Sequence, residues 1–147
     1  MQKDIIQKDI IQKWFFRQPP GDVWEYLVKP ELMEQWLMKT DFQAIVGHKF
    51  SFTFEPKPDS KYEGIVHCEV LEVLPFERLS YSWNGRTKDK SRNFNSTVKW
   101  TLIPKDNGTE LQLQHSGFEV MEDFLNHSNG WNSCLKRFEE NLNTSKK

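Results

Sequence analysis

The chain has 147 residues, 37% of them hydrophobic and including six Trp and eleven Phe, enough for one domain with a single aromatic-rich core and too apolar for a disordered chain. Twenty basic residues stand against twenty-one acidic ones for a net charge of -1, which gives no global attraction to nucleic acid or to an anionic membrane. No stretch approaches a membrane-spanning apolar run and no apolar signal segment opens the chain, so a cytoplasmic protein with reduced thiols at Cys68 and Cys134 is expected.

The pentapeptide QKDII stands at Gln2 to Ile6 and again at Gln7 to Ile11. Its five-residue period fits no solenoid or propeller unit, and within a strand it reverses the face that each side chain takes. Only one copy can continue a strand in register without a bulge. A first strand is therefore expected at about Ile10 to Gln18, with residues 1–9 as an N-terminal extension. Pro19 and Pro20 stop that strand and open a short helix, with Asp22 near its positive end and Val23, Trp24, Leu27 and Val28 along one face. Pro30 starts a second short helix through Leu37, with Leu32, Met33 and Trp36 turned inward. Trp24 and Trp36 read as plain core.

From Val46 the period changes to two. Phe50, Phe52 and Phe54 share one face of a strand, as do Leu79, Tyr81 and Trp83, then Val98, Trp100 and Leu102, then Leu111, Leu113 and His115. Such one-sided strands belong to an antiparallel sheet with one covered face. In Tyr62 to Leu74 the apolar parity shifts after Val70, which predicts a bulge that bends the sheet. Turn residues fill Glu55 to Lys61, Pro75 to Glu77 and Pro104 to Gly108. The basic stretch Asn84 to Asn93, with Arg86, Lys88, Lys90 and Arg92, reads as a solvated hairpin tip in preference to an anion- or partner-contacting loop.

After Phe118 a short segment with Val120, Met121, Phe124 and Leu125 leads to Ser128 and Asn129, either of which could cap a final helix. There Trp131, Leu135, Phe138 and Leu142, with Cys134 beside them, make an apolar stripe one face wide. The order predicts an α+β domain over residues 10–143 with a four-residue tail, 144–147. It comprises two short helices after the first strand, a curved antiparallel sheet of about six strands, and a long C-terminal helix laid across the sheet.

Residues for chemistry are sparse. The histidines are His48, His67, His115 and His127; His67 and Cys68 are strand neighbours on opposite faces and cannot share a metal. No H-E-x-x-H, G-x-S-x-G or phosphate-binding loop is present, so no catalytic residue, metal ligand or cofactor is assigned. Glu69 and Glu72 have opposite parity and read as solvated charges. His115 continues the inward row of Leu111 and Leu113, as a hydrogen-bonded structural histidine ahead of a ligand contact. Trp83, Trp100 and Trp131 suit a cavity wall and a filled core equally.

The segments PPGDVWEYLVKPELMEQW, VLEVLPFERLSYSW, TELQLQHSGF and the final GW helix occur in an order that resembles the START-like superfamily, in its branch related to the activator of the heat-shock-protein-90 ATPase. That resemblance spans Ile10 to Leu142. It implies a helix-grip fold with a cavity between sheet and C-terminal helix; that superfamily is functionally mixed, and the expectation adopted for this chain is a non-enzymatic binder of a small hydrophobic or amphipathic molecule in that cavity. The expected contact set is Phe52, Phe54, Tyr81, Trp83, Trp100, Leu113, His115, Trp131 and Leu135. A monomer without nucleic-acid or membrane partners is expected. The alternatives are a protein-interaction module acting on a chaperone and a cofactor-free cyclase or lyase.

Overall fold

The computed structural model describes residues 5–56 and 58–145. The chain runs β1 (Ile5–Phe16), α1 (Pro20–Val28), α2 (Pro30–Trp36), β2 (Lys39–Thr40), β3 (Lys49–Thr53), β4 (Ile65–Leu74), β5 (Arg78–Arg86), β6 (Asn93–Lys105), β7 (Gly108–Val120) and α3 (Met121–Ser145). The strands form one seven-stranded sheet in the order β1-β7-β6-β5-β4-β3-β2, every neighbouring pair antiparallel. The fold is the α+β helix grip, and the strand beyond the expected six is the two-residue β2. No helix among the described residues is long and apolar enough to cross a membrane.

Local chemistry explains most boundaries. Pro20 and Pro30 each occupy the first turn of their helix, where the missing amide costs nothing. Asp106 and Asn107, both at positive φ, make a two-residue turn between Lys105 and Gly108, which pair across it. The register of β4 against β5 slips between Val70 and Glu72, at the predicted parity shift. Gly117, at φ +108°, bends β7. A Cβ there would lie 3.0 Å from the Asn95 carbonyl oxygen, so both conformation and space demand glycine.

Two expectations are corrected. The first strand begins at Ile5 and stops at Phe16, because β7 extends to Val120 and pairs with it all the way. The odd period of the duplication is absorbed by register shifts between Ile5 and Lys8 and between Lys8 and Ile10. Part of the first copy, Gln2 to Asp4, lies outside the described residues. The final helix does not start at a Ser128 or Asn129 cap; α3 is continuous from Met121, with Glu122 and Asp123 in its first turn. Phe124 and His127 extend the stripe of Trp131 backwards at helical spacing. That burial outweighs the roughly 1 kcal/mol that Gly130 costs inside a helix.

The core has a dense end and an open end. At the dense end the Phe138 ring on α3 lies 4.5 Å from Trp36, 4.9 Å from Phe16 and 5.6 Å from Tyr26 between centroids. Trp36 anchors this stack by donating its indole N–H to the Tyr26 carbonyl at 2.8 Å. Trp100 continues it, edge-on to both Trp36 and Trp131, and donates to the Tyr81 hydroxyl at 3.0 Å.

Phe138 is completely buried against three rings held by three different elements, so its removal leaves a cavity that cannot collapse. Phe138→Ala is expected to destabilise the domain by about 3 to 5 kcal/mol in urea unfolding. A loss below about 1 kcal/mol would show that this end of the core is loosely packed.

Candidate functional site

Towards the N-terminal half of α3 the space between helix and sheet is not filled. A cavity of about 580 Å³ opens there, walled by Phe54, Ile65 and Val66 at the β3–β4 end, by Trp83 and Phe94 from β5 and β6, by Leu37 and Met38 after α2, and by His127, Gly130, Trp131 and Cys134 of α3. Side-chain size explains the opening. α3 presents Leu135, Phe138 and Leu142 at the dense end, but glycine and cysteine here, and a Cβ on Gly130 would meet no atom within 4 Å. Phe94 lies across Gly85 on the neighbouring strand, where any larger residue would collide with the ring.

The polar groups behind the aromatic wall form one directed chain. The Trp131 indole, which can only donate, gives its N–H to His115 Nδ1 at 2.9 Å. Nδ1 is thus the acceptor, and the proton of the neutral ring resides on Nε2, which donates to Ser96 Oγ at 2.8 Å. The Ser96 hydroxyl in turn donates to the Trp83 carbonyl at 2.7 Å. Trp83 then repeats the motif, its indole donating to His127 Nε2 at 3.2 Å, so His127 carries its proton on Nδ1 and donates to the Asp123 carbonyl at 2.8 Å. Two neutral histidines of opposite tautomer accept from two tryptophans. Burial, and then the neighbouring His127, hold His115 well below the ordinary histidine range; burial also lowers His127, against the pull of Asp123.

The rim is ionic. Arg92 donates to both oxygens of the buried Asp123, at 2.8 and 3.2 Å, and also reaches Glu122. The Tyr62 hydroxyl donates to Asp123 at 2.6 Å and accepts from Asn126. Lys61 pairs with Glu122, and Arg86 with Glu63 at 2.9 Å. Burial opposes ionisation of Asp123 but is outweighed by Arg92 and Tyr62, so its carboxyl sits below the usual range. Burial, then the bond to Asp123, pushes Tyr62 up to about 12. The basic stretch after Trp83 is exposed at its tip, residues 88–91, as expected, but Arg92 folds back from it as a clamp on the first turn of α3, its cost of burial met by the carboxylate.

Of the nine expected contact residues, Phe54, Trp83 and Trp131 line the cavity. Phe52, Tyr81, Trp100, Leu113, His115 and Leu135 are buried behind it, and His115 meets the wall through its bond to the Trp131 indole and by ring contact with Trp83 and His127. Sequence reading missed Tyr62, Phe94 and His127 on the wall and the Arg92–Asp123 clamp at its rim. Two carried a signal: Phe94 stands in the period-two row of Val98 and Trp100, and His127 one helical turn before Trp131. Tyr62 and Asp123, far apart in the chain, carried none. His67 is exposed and Cys68 buried, on opposite faces as expected. Among the described residues no group of three or more His, Cys, Asp or Glu could hold a metal ion.

Because the folded state keeps His115 neutral while an unfolded histidine titrates near 6.5, its contribution to stability is complete above that pH and shrinks as pH falls below it. Between pH 6.5 and 5 the free energy of unfolding is expected to drop by up to about 1.4 kcal/mol per pH unit for each buried histidine. Urea titrations across that range read the slope. His115→Gln should flatten it, and an unchanged slope would place the titration elsewhere.

The family model described as activator of Hsp90 ATPase homolog 1-like protein matches residues 7–143. Among solved structures, protein MLL2253 from Mesorhizobium loti is 32% identical with a TM-score of 0.84, over 95% of this chain and 100% of that one. The Aha1 dimer from Colwellia psychrerythraea is 17% identical with a TM-score of 0.76, over 95% and 99%. DynU16, a putative protein in the dynemicin biosynthetic locus, is 20% identical with a TM-score of 0.78, over 96% of this chain and 49% of that one; these last two likenesses speak for the fold alone. No curated protein matches. With the family model spanning nearly the whole chain and every strand and helix of the grip in place, the chain belongs to the family of activator of Hsp90 ATPase homolog 1-like proteins.

Proposed function

We propose that this protein binds a small, largely apolar molecule in the cavity between α3 and the sheet. The observation that carries the reading is an aromatic-walled space of about 580 Å³, within the size range of small-molecule sites, in whose wall the polar ends of Trp83, Trp131, His127 and Tyr62 are already hydrogen-bonded. Charge narrows the ligand. Among the described residues the basic side chains on the lining, Lys61 and Arg86, are ion-paired, while Glu55, Asp59 and Glu122 share the mouth. A carboxylate would meet more negative than positive charge, so a neutral, flat or ring-bearing molecule fits better than a fatty acid.

Two readings stand behind this one. A chaperone-associated interaction module would use exposed apolar surface, of which the adjacent Ile45 and Val46 in the β2–β3 connection are one example. Stimulation of a chaperone ATPase by the purified chain would favour it. A cyclase or lyase would need an acid or base turned into the cavity. Asp123 is taken up by Arg92 and Tyr62, and the Nε2 of His127 by Trp83, which weighs against that reading.

Gly130→Leu supplies the test. The new side chain projects into the cavity from a helical position, so binding of a neutral flavonoid should weaken at least about tenfold while stability holds or rises by up to about 1 kcal/mol. In the parent chain the flavonoid should shift the NMR signals of Phe54, Phe94, His127 and Trp131 together, and a fatty acid should bind more weakly. Shifts confined to surface loops, or equal flavonoid affinity in Gly130→Leu, would remove the cavity as the binding site.

A further inference from the structure

The two edges of the sheet are unlike. One ends in the two-residue β2, too short to template another strand; the other ends in the twelve-residue β1, which among the described residues pairs with β7 on one side only. A long free edge offers unpaired amides and carbonyls to a further strand. From Ile10 onward the register of β1 is regular. Along that stretch Ile10 is buried while Asp9, Ile11, Lys13 and Phe15 face outward, with Ile11 64% and Phe15 44% exposed.

The outward row is self-complementary. Asp9 and Lys13 stand two residues either side of Ile11, so when two β1 strands pair antiparallel about a two-fold axis through Ile11, Asp9 of each copy faces Lys13 of the other and the two Ile11 side chains meet. The faces also agree, since this register sets residues of the same parity opposite each other and continues both sheets without inverting either. The QKDII duplication bears on this: it writes the string Asp-Ile-Ile-Gln-Lys twice, at Asp4 to Lys8 and at Asp9 to Lys13. Only the second lies wholly within the described residues. Its Asp9 is held on the outer face by Gln114, which donates to the carboxylate at 2.9 Å.

We propose that the free edge of β1 docks a second copy of this chain, antiparallel and centred on Ile11, with Asp9 and Lys13 exchanging ion pairs across the two-fold. This departs from the monomer expected of the sequence, because composition does not register an unpaired edge.

Sedimentation velocity of the full chain over a concentration series tests it, with far-UV circular dichroism confirming that each variant folds. The parent chain should show a concentration-dependent dimer. Lys13→Glu and Asp9→Lys, each placing like charges opposite one another twice, should weaken the dimer about tenfold, and the double variant Asp9→Lys/Lys13→Glu should restore it. Amides of residues 9–13 should also exchange more slowly as dimer forms. A monomer at every concentration would leave the edge to some other strand and overturn the proposal. So would a dimer indifferent to the single changes, or a double variant no better than either.

Discussion

Two indole N–H groups must find acceptors inside an apolar domain, and much of the site follows from how they do. Trp83 and Trp131 sit where the core gives way to the cavity, and an unsatisfied donor there would cost about 1 to 3 kcal/mol. Each is met by a histidine kept neutral by burial, and each histidine passes its proton on, His115 to Ser96 and His127 to the backbone of α3. The chain fixes both tautomers and ties β5, β6, β7 and α3 together at the cavity wall. A charged histidine at either place would turn an acceptor into a second donor facing an indole.

The division of the interior into a filled and an open end is written along α3. Large side chains at Leu135, Phe138 and Leu142 close the space against Phe16, Tyr26 and Trp36, whereas Gly130 and Cys134 leave it open against Trp83 and Phe94. One helix thus serves as core on one side of Trp131 and as cavity wall on the other. The same strands extend past the filled core to bound the opening.

The rim is held by charge instead of apolar contact. Arg92, Asp123 and Tyr62 join the β5–β6 connection, the segment before β4 and the first turn of α3 in one partly buried cluster. Such a cluster is strong while all members are present and costly to leave half-made. It also occupies Asp123 and Tyr62, so these two groups order the mouth instead of turning into the cavity.

Periodicity by itself determined the two short helices after Pro19 and Pro30, the buried rows of β3, β5, β6 and β7, the bulge in β4 and the stripe of the last helix. Each of these is set by side chains two, three or four residues apart and by backbone-restricting prolines. It did not determine where α3 begins, because the Ser-Asn-Gly string has the composition of a cap. Only burial of Phe124 and His127 against the sheet shows the helix running through it. Nor could periodicity say which inward residues stay core and which reach empty space: Trp100 and Trp131 have the same chemistry, and the filling of volume around them by distant residues decides. The Arg92–Asp123–Tyr62 cluster lay beyond sequence altogether, since its members come from three separated segments. Short-range spacing fixes the face a side chain takes. What stands opposite that face is decided by the closing of the sheet over the helix.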